Sequence, residues 1–479
     1  MIEGRRSSDT MGGEYRYSST VIPGIIKVVD ILSILGAGTI TCVLIVDPDF
    51  QRFDYYFFAI VFIAFVTFLL NSSARLYSVD AIMRPISKSD LVIVSVVSAF
   101  LFFLTIAFSL KVSEEYSRVW VYSFFGGSIL TLSINRVLAS VLLGHLSRRR
   151  IVGRSLLVLG TGPQAEQFLT QLSEIKPYFT NVLGVFSPQE EPVPSEFAGF
   201  PVLGTEDELL DFVRTHRVDD VVVAMPWQDD SGLSRTVEAL KELPINVYIS
   251  MDLAGYQLKF RPVFSQFSQL PLFEIVRRPI SGWSFLLKLL EDYVIASLIL
   301  IVLSPLMLLI AAAIKLDSPG PIFFMQKRLG FNNETFEIYK FRSMVHRDDP
   351  EVDLRQASKN DPRITRVGRI IRRTSLDELP QLLNVLNGSM SLVGPRPHAL
   401  RHNEEYGRQI RGYFARHNVK PGITGWAQVN GLRGETETLS KMESRVAHDV
   451  YYAENWSLLF DLRILVMTVI VVLFQKTAY

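Results

Sequence analysis

Arg363, Arg366, Arg369, Arg372 and Arg373 fall within eleven residues that hold no acid. On a helix, spacings of three and four place most of them on one face. A charge run is ordinarily a solvated face, but this one has no compensating Glu and suits polyanions, whether lipid head groups or a pyrophosphate. Thr374-Ser375-Leu376-Asp377-Glu378-Leu379-Pro380 follows at once. Two readings of its acids stand. Ser375 with Glu378 three residues on is a capping box, and acids in a first helical turn are common. Alternatively, a carboxylate beside an arginine cluster stays ionised where a substrate phosphate would bind, and an ionised Asp377 is a competent nucleophile for phosphoryl transfer. A neighbouring Glu378 could then hold a Mg²⁺ ion that neutralises a diphosphate. His398 and His402 have the spacing of helical metal ligands, but no third ligand is evident and Pro397 precedes them. They read as core or surface histidines.

The elements that carry these residues begin far upstream. The chain has 479 residues, 48% hydrophobic and 20% charged, with 49 Lys+Arg against 48 Asp+Glu for a net charge of +1. That balance excludes a basic nucleic-acid coat and a disordered acidic protein, and no nucleic-acid partner is expected. The lone Cys42 excludes an intrachain disulfide framework and a Cys-based zinc site. The averages suggest a soluble protein, but the distribution does not. Ile31–Val46, Tyr55–Leu70, Leu91–Leu110 and Val119–Asn135 carry no charge. With small extensions each spans a bilayer core of about 30 Å. Arginines and lysines gather in the N-terminal segment, in the second loop (Arg75, Arg84, Lys88) and after the fourth run (Arg148, Arg149, Arg150), so both ends belong inside. No cleavable signal sequence is expected ahead of them. Ile2-Glu3-Gly4-Arg5 looks like a protease site carried in from expression, with Met11 as a native start, so residues 1–20 read as a tail. Asp30 and Arg136 fall in or beside the apolar runs, and snorkelling or mutual pairing is the expectation for them.

From about residue 151 to 280 short apolar runs alternate with amphipathic stretches. Ser155–Leu159, Asn181–Phe186, Asp220–Met225 and Asn246–Ser250 read as strands. Gln164–Ile175, Glu206–His216 and Ser231–Lys241 read as helices. The pattern predicts a Rossmann-like open α/β sheet. Its first turn, Gly160-Thr161-Gly162-Pro163-Gln164-Ala165, has phosphate-binding spacing in an Ala-ended form. The acid that should hold a ribose is displaced to Glu190, so a structural turn and a nucleotide site both remain open.

Residues 281–479 hold the arginines and Asp377-Glu378, and they start with another uncharged run, Tyr293–Ile314. A fifth span would put the arginine-rich segment outside, against the charge rule. A re-entrant helix over residues 284–316, broken at Ser304-Pro305, removes the conflict. Proline frees a carbonyl that Ser304 can bond. Trp456–Phe474 is a further apolar stretch expected to lie on the membrane.

Several strings occur in one order: Asp317-Ser318-Pro319-Gly320-Pro321, Gln326-Lys327-Arg328-Leu329-Gly330, Tyr339-Lys340-Phe341-Arg342-Ser343-Met344, Thr374 to Pro380, Ser391-Leu392-Val393-Gly394-Pro395-Arg396-Pro397 and Lys420-Pro421-Gly422-Ile423-Thr424-Gly425-Trp426. As a set they resemble the bacterial monotopic phosphoglycosyltransferases, polyprenyl-phosphate sugar phosphotransferases, in their long form. The resemblance implies four transmembrane helices, a Rossmann-like domain and a mainly helical monotopic catalytic domain with a re-entrant helix. It implies Asp377 as the nucleophile, Glu378 as the Mg²⁺ ligand, and Arg372, Arg396, Lys327 and Arg328 on substrate phosphates. The substrates would be UDP-glucose and undecaprenyl phosphate, and the products undecaprenyl-diphosphate-glucose and UMP. That is the first step of exopolysaccharide or capsule assembly at the cytoplasmic face of the inner membrane, and it is compatible with a homo-oligomer. The glucose assignment follows from Pro397-His398-Ala399 and the ending from Arg433-Gly434-Glu435-Thr436 to Ala478-Tyr479, which are similar to glucose-loading members. Galactose or another UDP-sugar is the alternative. A catalytically silent, nucleotide-sensing scaffold is the alternative from another class, and the intact Asp377-Glu378 pair argues against it.

Overall fold

The computed structural model describes residues 21–46, 53–149, 151–188, 195–225, 230–250, 272–345, 361–432 and 438–474. It divides into two units, Met1–Ser155 with Lys176–Asn181, and Leu156–Ile175 with Val182–Tyr479. Glu190, Arg433-Gly434-Glu435-Thr436, Ala478-Tyr479 and residues 1–20 lie outside the described residues.

In the first unit the four apolar runs fold as α1 (Ile22–Ile45), α2 (Phe53–Ser73), α4 (Ser89–Ser109) and α5 (Arg118–Arg148), with a short α3 (Val79–Met83) between the second and third. Helix α1 starts earlier than its uncharged run because Pro23 fits a first helical turn, where its missing N–H costs nothing. Helices α1 and α4 each pack on α2 and α5. Ile34, Ile63, Val96, Ala99, Trp120, Phe124 and Leu132 form their common core. Asp30 and Arg136 resolve as a buried mutual ion pair, Nη2 to Oδ2 2.8 Å, with Asn135 Nδ2 donating to Asp30 Oδ1 at 3.4 Å. Removing either partner alone would strand a buried charge, at about 3–5 kcal/mol.

The second unit opens with a seven-stranded sheet of order β3-β4-β2-β1-β5-β6-β7. Its strands are β1 (Arg154–Leu159), β2 (Thr180–Ser187), β3 (Glu196–Phe197), β4 (Phe200–Thr205), β5 (Asp220–Val223), β6 (Asn246–Ser250) and β7 (Leu272–Val276). Helices α6 (Pro163–Ile175), α7 (Glu206–Thr215) and α8 (Asp230–Leu240) are the crossovers. Strands β1, β5 and β6 are fully buried and pair in parallel, as their continuous Val/Ile/Leu runs require. The sequence reading missed β3, β4 and β7. The two outermost, β3 and β7, run antiparallel to their neighbours and lack a continuous apolar run. Gly160, at φ 138°, sits where β1 passes the end of β5, and a β-carbon there would overlap the Ala224 carbonyl. That gives the glycine turn a structural reason of its own.

The rest of the unit is built on α9 (Gly282–Asp317), the strands β8 (Phe323–Leu329), β9 (Thr335–Phe341), β10 (Ser391–Val393) and β11 (Gly422–Thr424), and short helices. The two small sheets, β8 antiparallel to β9 and β10 parallel to β11, go beyond the mainly helical expectation. Helix α9 runs through Ser304-Pro305 as a continuous helix. Proline removes the bond to the Ile301 carbonyl, and Ser304 Oγ donates to that same carbonyl at 2.9 Å. The first half of α9 is fixed by buried charges. Lys288 Nζ lies 2.5 Å from Asp461 Oδ2 and 3.1 Å from Asp292 Oδ1, and Asp292 also accepts from Leu392 N at 3.0 Å. Its second half packs Ile310 and Ile314 into a cluster with Phe341 and Ile371. Between the two halves, Leu298, Ile301, Val302, Leu308 and Leu309 are exposed. Among the described residues, five helices, α1, α2, the Ile86–Ser109 segment, α5 and α9, are long and apolar enough to cross a membrane.

Candidate active site

Asp377 and Glu378 sit on a single 3₁₀ turn, Leu376–Glu378, directly after the helix Arg366–Arg373. Ser375 joins the two in the left-handed region, at φ 60° and ψ 15°, and makes no side-chain capping bond to the turn. The capping-box reading therefore fails. The Glu378 carboxylate faces cations instead, with Arg396 Nη2 at 2.7 Å, Lys340 Nζ at 2.9 Å and Arg396 Nη1 at 3.3 Å. Gly368 brings the arginine helix close to the chain at Ser343, where any β-carbon would overlap the Ser343 carbonyl.

The two acids are in unlike states. Burial would raise Glu378, but Arg396 and Lys340 outweigh it and hold the carboxyl well below its ordinary value. Asp377 is raised, first by burial and then by the adjoining Glu378 charge, against the pull of Lys340, Arg372 and Arg396. The surrounding cations thus outweigh burial at Glu378 but not at Asp377. Among the described residues no group hydrogen-bonds the Asp377 carboxylate. It stands uncommitted inside a ring of positive charge while its neighbour is locked.

Register decides which basic residues join the site. In the β8–β9 hairpin, Arg328 pairs with Phe336 and Phe324 with Lys340, so Arg328 and Lys340 share one face. That is the face toward Glu378: Lys340 bonds it, and Arg328 feels both Glu378 and Arg396. Burial, then Arg396, lowers Arg328 to about 10. Among the described residues its Nε is buried without a hydrogen-bond partner, while its Nη2 donates to Gln326 Oε1 at 2.5 Å. Lys327 is not brought together with them: it is exposed on the opposite face of the hairpin, across from Glu337, because strand neighbours alternate. Lys340 was missed as a site residue, although Tyr339-Lys340-Phe341-Arg342 was singled out as a string. Arg342 is structural, donating from Nη1 to Pro319 O at 2.9 Å and from Nη2 to Ser318 O at 2.7 Å. Ser304 and Pro305 lie in the middle of α9, away from this turn in sequence and packing.

Arg396 follows Gly394-Pro395 on the loop leaving β10. Three glycines let that loop cross β11: a β-carbon at Gly394, Gly422 or Gly425 would overlap backbone of another of these segments. His398 is buried, bonded to Tyr413 Oη at 2.7 Å. Burial, then Arg416 and Arg445, keeps it far below its ordinary value and neutral. His402 is partly exposed on the helix Leu400–Gln409, so the pair behaves as a core and a surface histidine.

Residues 283–475 match the family model described as bacterial sugar transferase, and residues 72–250 match the one described as CoA-binding domain. The chain is 40% identical over 383 residues to UDP-glucose:undecaprenyl-phosphate glucose-1-phosphate transferase of Xanthomonas campestris pv. campestris, covering 79% of each. It is 39% identical over 355 residues to the protein of the same name from Escherichia coli (strain K12), covering 74% of each. A Caulobacter vibrioides relative, also of that name, is 52% identical over 192 residues, 40% of this chain and 72% of that one.

Proposed function

The chain belongs to the bacterial sugar transferase family, and from that premise we infer that it transfers glucose-1-phosphate from UDP-glucose to undecaprenyl phosphate. The observation that carries the mechanism is the uncommitted Asp377 carboxylate, ringed by Lys340, Arg372 and Arg396 beside a Glu378 already held by cations. An Asp377 oxygen attacks the sugar-bearing phosphorus, and the bond to the UMP oxygen breaks with its electron pair on UMP. A phosphate oxygen of undecaprenyl phosphate then attacks the same phosphorus and displaces Asp377. Arg372, Arg396, Lys340 and Arg328 hold phosphate oxygens, for which planar, multidentate guanidinium groups are suited.

The donor set also fits a Mg²⁺ ion. Glu378, which Arg396 and Lys340 clasp in the free protein, and Asp377 are two adjoining carboxylates, and Mg²⁺ is commonly bound by one or two carboxylates plus substrate phosphates. Glu378 would hold it, and the ion would supply neutralisation of diphosphate charge.

α1, α2, α4 and α5 cross the inner membrane as a bundle, with the α/β domain and the catalytic segment on the cytoplasmic face. Helix α9 enters and returns to that same face. Support comes from its two halves, which both dock on the catalytic segment while the apolar residues around Pro305 stay exposed. A straight 36-residue helix would be about 54 Å long, well beyond a 30 Å core. The helix Leu458–Phe474 lies along the surface. It buries Asp461 and Ile464 and exposes Leu459, Leu462, Val466, Val469 and Ile470 at helical spacing on one side.

Two measurements test these readings. A panel of UDP-sugars with purified enzyme and undecaprenyl phosphate is expected to give UMP and lipid-linked sugar with UDP-glucose at least ten times faster than with UDP-galactose. Preference for another UDP-sugar would overturn the glucose assignment, and no transfer with any of them would favour a silent scaffold. For topology, single cysteines replace the exposed Leu287 and Leu316 in a Cys42→Ser background. Both are expected to react with an impermeant maleimide from the cytoplasmic side only. Labelling from opposite sides would make α9 a spanning helix.

A further inference from the structure

Behind the loop that carries Arg396 lies a buried polar network with no assigned role. Arg416, on the 3₁₀ turn Tyr413–Asn418, is 1% exposed. Its Nη2 donates to the Arg396 carbonyl at 2.7 Å and is 2.7 Å from Asp449 Oδ2. Its Nη1 lies 3.0 Å from His398 Nε2, which Arg445 Nη1 approaches at 3.4 Å. Tyr413 Oη, bonded to His398, donates to Asn403 Oδ1 at 2.9 Å. The partners come from four places in the chain: the loop that holds Arg396 and His398, the helix Leu400–Gln409, the 3₁₀ turn and the helix Leu439–Glu454.

Burying charged side chains in such a network is costly, and packed apolar groups usually serve stability at least as well. What the network does geometrically is hold one carbonyl. Arg396 stands between Pro395 and Pro397, which have no N–H to donate, so the loop cannot be fixed by a ladder of its own backbone bonds. Gly422 N holds the Pro395 carbonyl at 2.9 Å, and Arg416 holds the next one. The side chain of the residue so held ends on Glu378.

We propose that Arg416 is a positioning residue for the transfer reaction: by gripping the Arg396 carbonyl it fixes where the Arg396 guanidinium meets Glu378 and the substrate phosphates. This rests on the reading of Arg396 as a phosphate-binding residue. A displacement of about 1 Å in such a group can cost on the order of 100-fold in rate. The Arg396 carbonyl and Asp449 share the same Nη2, while Nη1 reaches His398; lysine keeps the positive charge but ends one atom short of Nη2 and has no planar fork.

A double-mutant cycle tests it, using radiolabelled UDP-glucose and reading kcat/KM for lipid-linked product. Arg416→Lys in the otherwise native chain is expected to lose roughly 10- to 100-fold. In an Arg396→Ala background the same change is expected to lose less than about twofold, because its target has gone. Arg416→Gln should behave alike, and the lysine variant, which retains a positive charge near Asp449, decides the matter if the glutamine variant does not fold. Losses that multiply in the two backgrounds would overturn the proposal and leave Arg416 a packing residue. An Arg396→Ala protein with native kcat/KM would instead overturn the reading of Arg396 itself.

Discussion

Asp377→Asn is expected to abolish transfer, lowering kcat by on the order of 10⁴-fold or more, while the protein keeps its fold and its affinity for UDP-glucose. The amide is nearly isosteric, but it is a poor nucleophile and cannot leave as a carboxylate. The site around it should tolerate the change. No hydrogen bond among the described residues depends on the Asp377 carboxylate, and removing a charge that burial and Glu378 both disfavour relieves strain in the free enzyme. Melting temperature should therefore stay level or rise slightly. The measurement is product formation beside thermal unfolding in detergent. Loss of both together would mean that Asp377 holds the turn rather than attacks phosphorus.

Gly422→Ala is expected to have nearly as large an effect on activity, through geometry instead of chemistry. A β-carbon at 422 would overlap Gly394 N and lie 2.5 Å from Thr424 O and 2.7 Å from Gly394 Cα. Every one of these atoms is backbone, so no side chain can turn aside. β10 and β11 pair in register at Ser391–Gly422 and Val393–Thr424, and parting them moves the loop that carries Arg396. Overpacking of this kind costs about 1–3 kcal/mol and sometimes more, and the displaced arginine should lower kcat/KM by roughly 100-fold. Native kcat/KM in this variant would show that the glycine crossing does not position Arg396.

The two halves of the molecule were legible in the sequence to different degrees. Uncharged runs mark helices with little ambiguity, and Leu91–Leu110 became α4 with nearly the same bounds. Buried parallel strands show as unbroken apolar runs, hence β1, β5 and β6, whereas β7 exposes Phe273, Glu274 and Ile275 and shows no such run. Asp377, Glu378, Arg372 and Arg396, which the structure brings together, stand out in the sequence because acids and arginines cluster in one short stretch and its family strings. Lys340 and Lys327 could not be told apart, since strand register alone puts Lys340 on Glu378 and Lys327 outside. The role of Ser375 was equally hidden, because its left-handed backbone leaves no mark in composition. Arg416 and Asp449 are far apart in the chain and meet only after folding. Re-bonding of the carbonyl freed by Pro305 was foreseeable, because the serine immediately precedes the proline.

The central claim is that sugar phosphate passes through Asp377. The direct measurement is to mix stoichiometric amounts of purified protein with sugar-labelled UDP-glucose and no lipid acceptor, quench, and digest. The account predicts UMP release together with label on a peptide containing Asp377, label that disappears into lipid when undecaprenyl phosphate is added and that never forms with Asp377→Asn. UMP release that waits for undecaprenyl phosphate, with no label on the protein at any time, would contradict it.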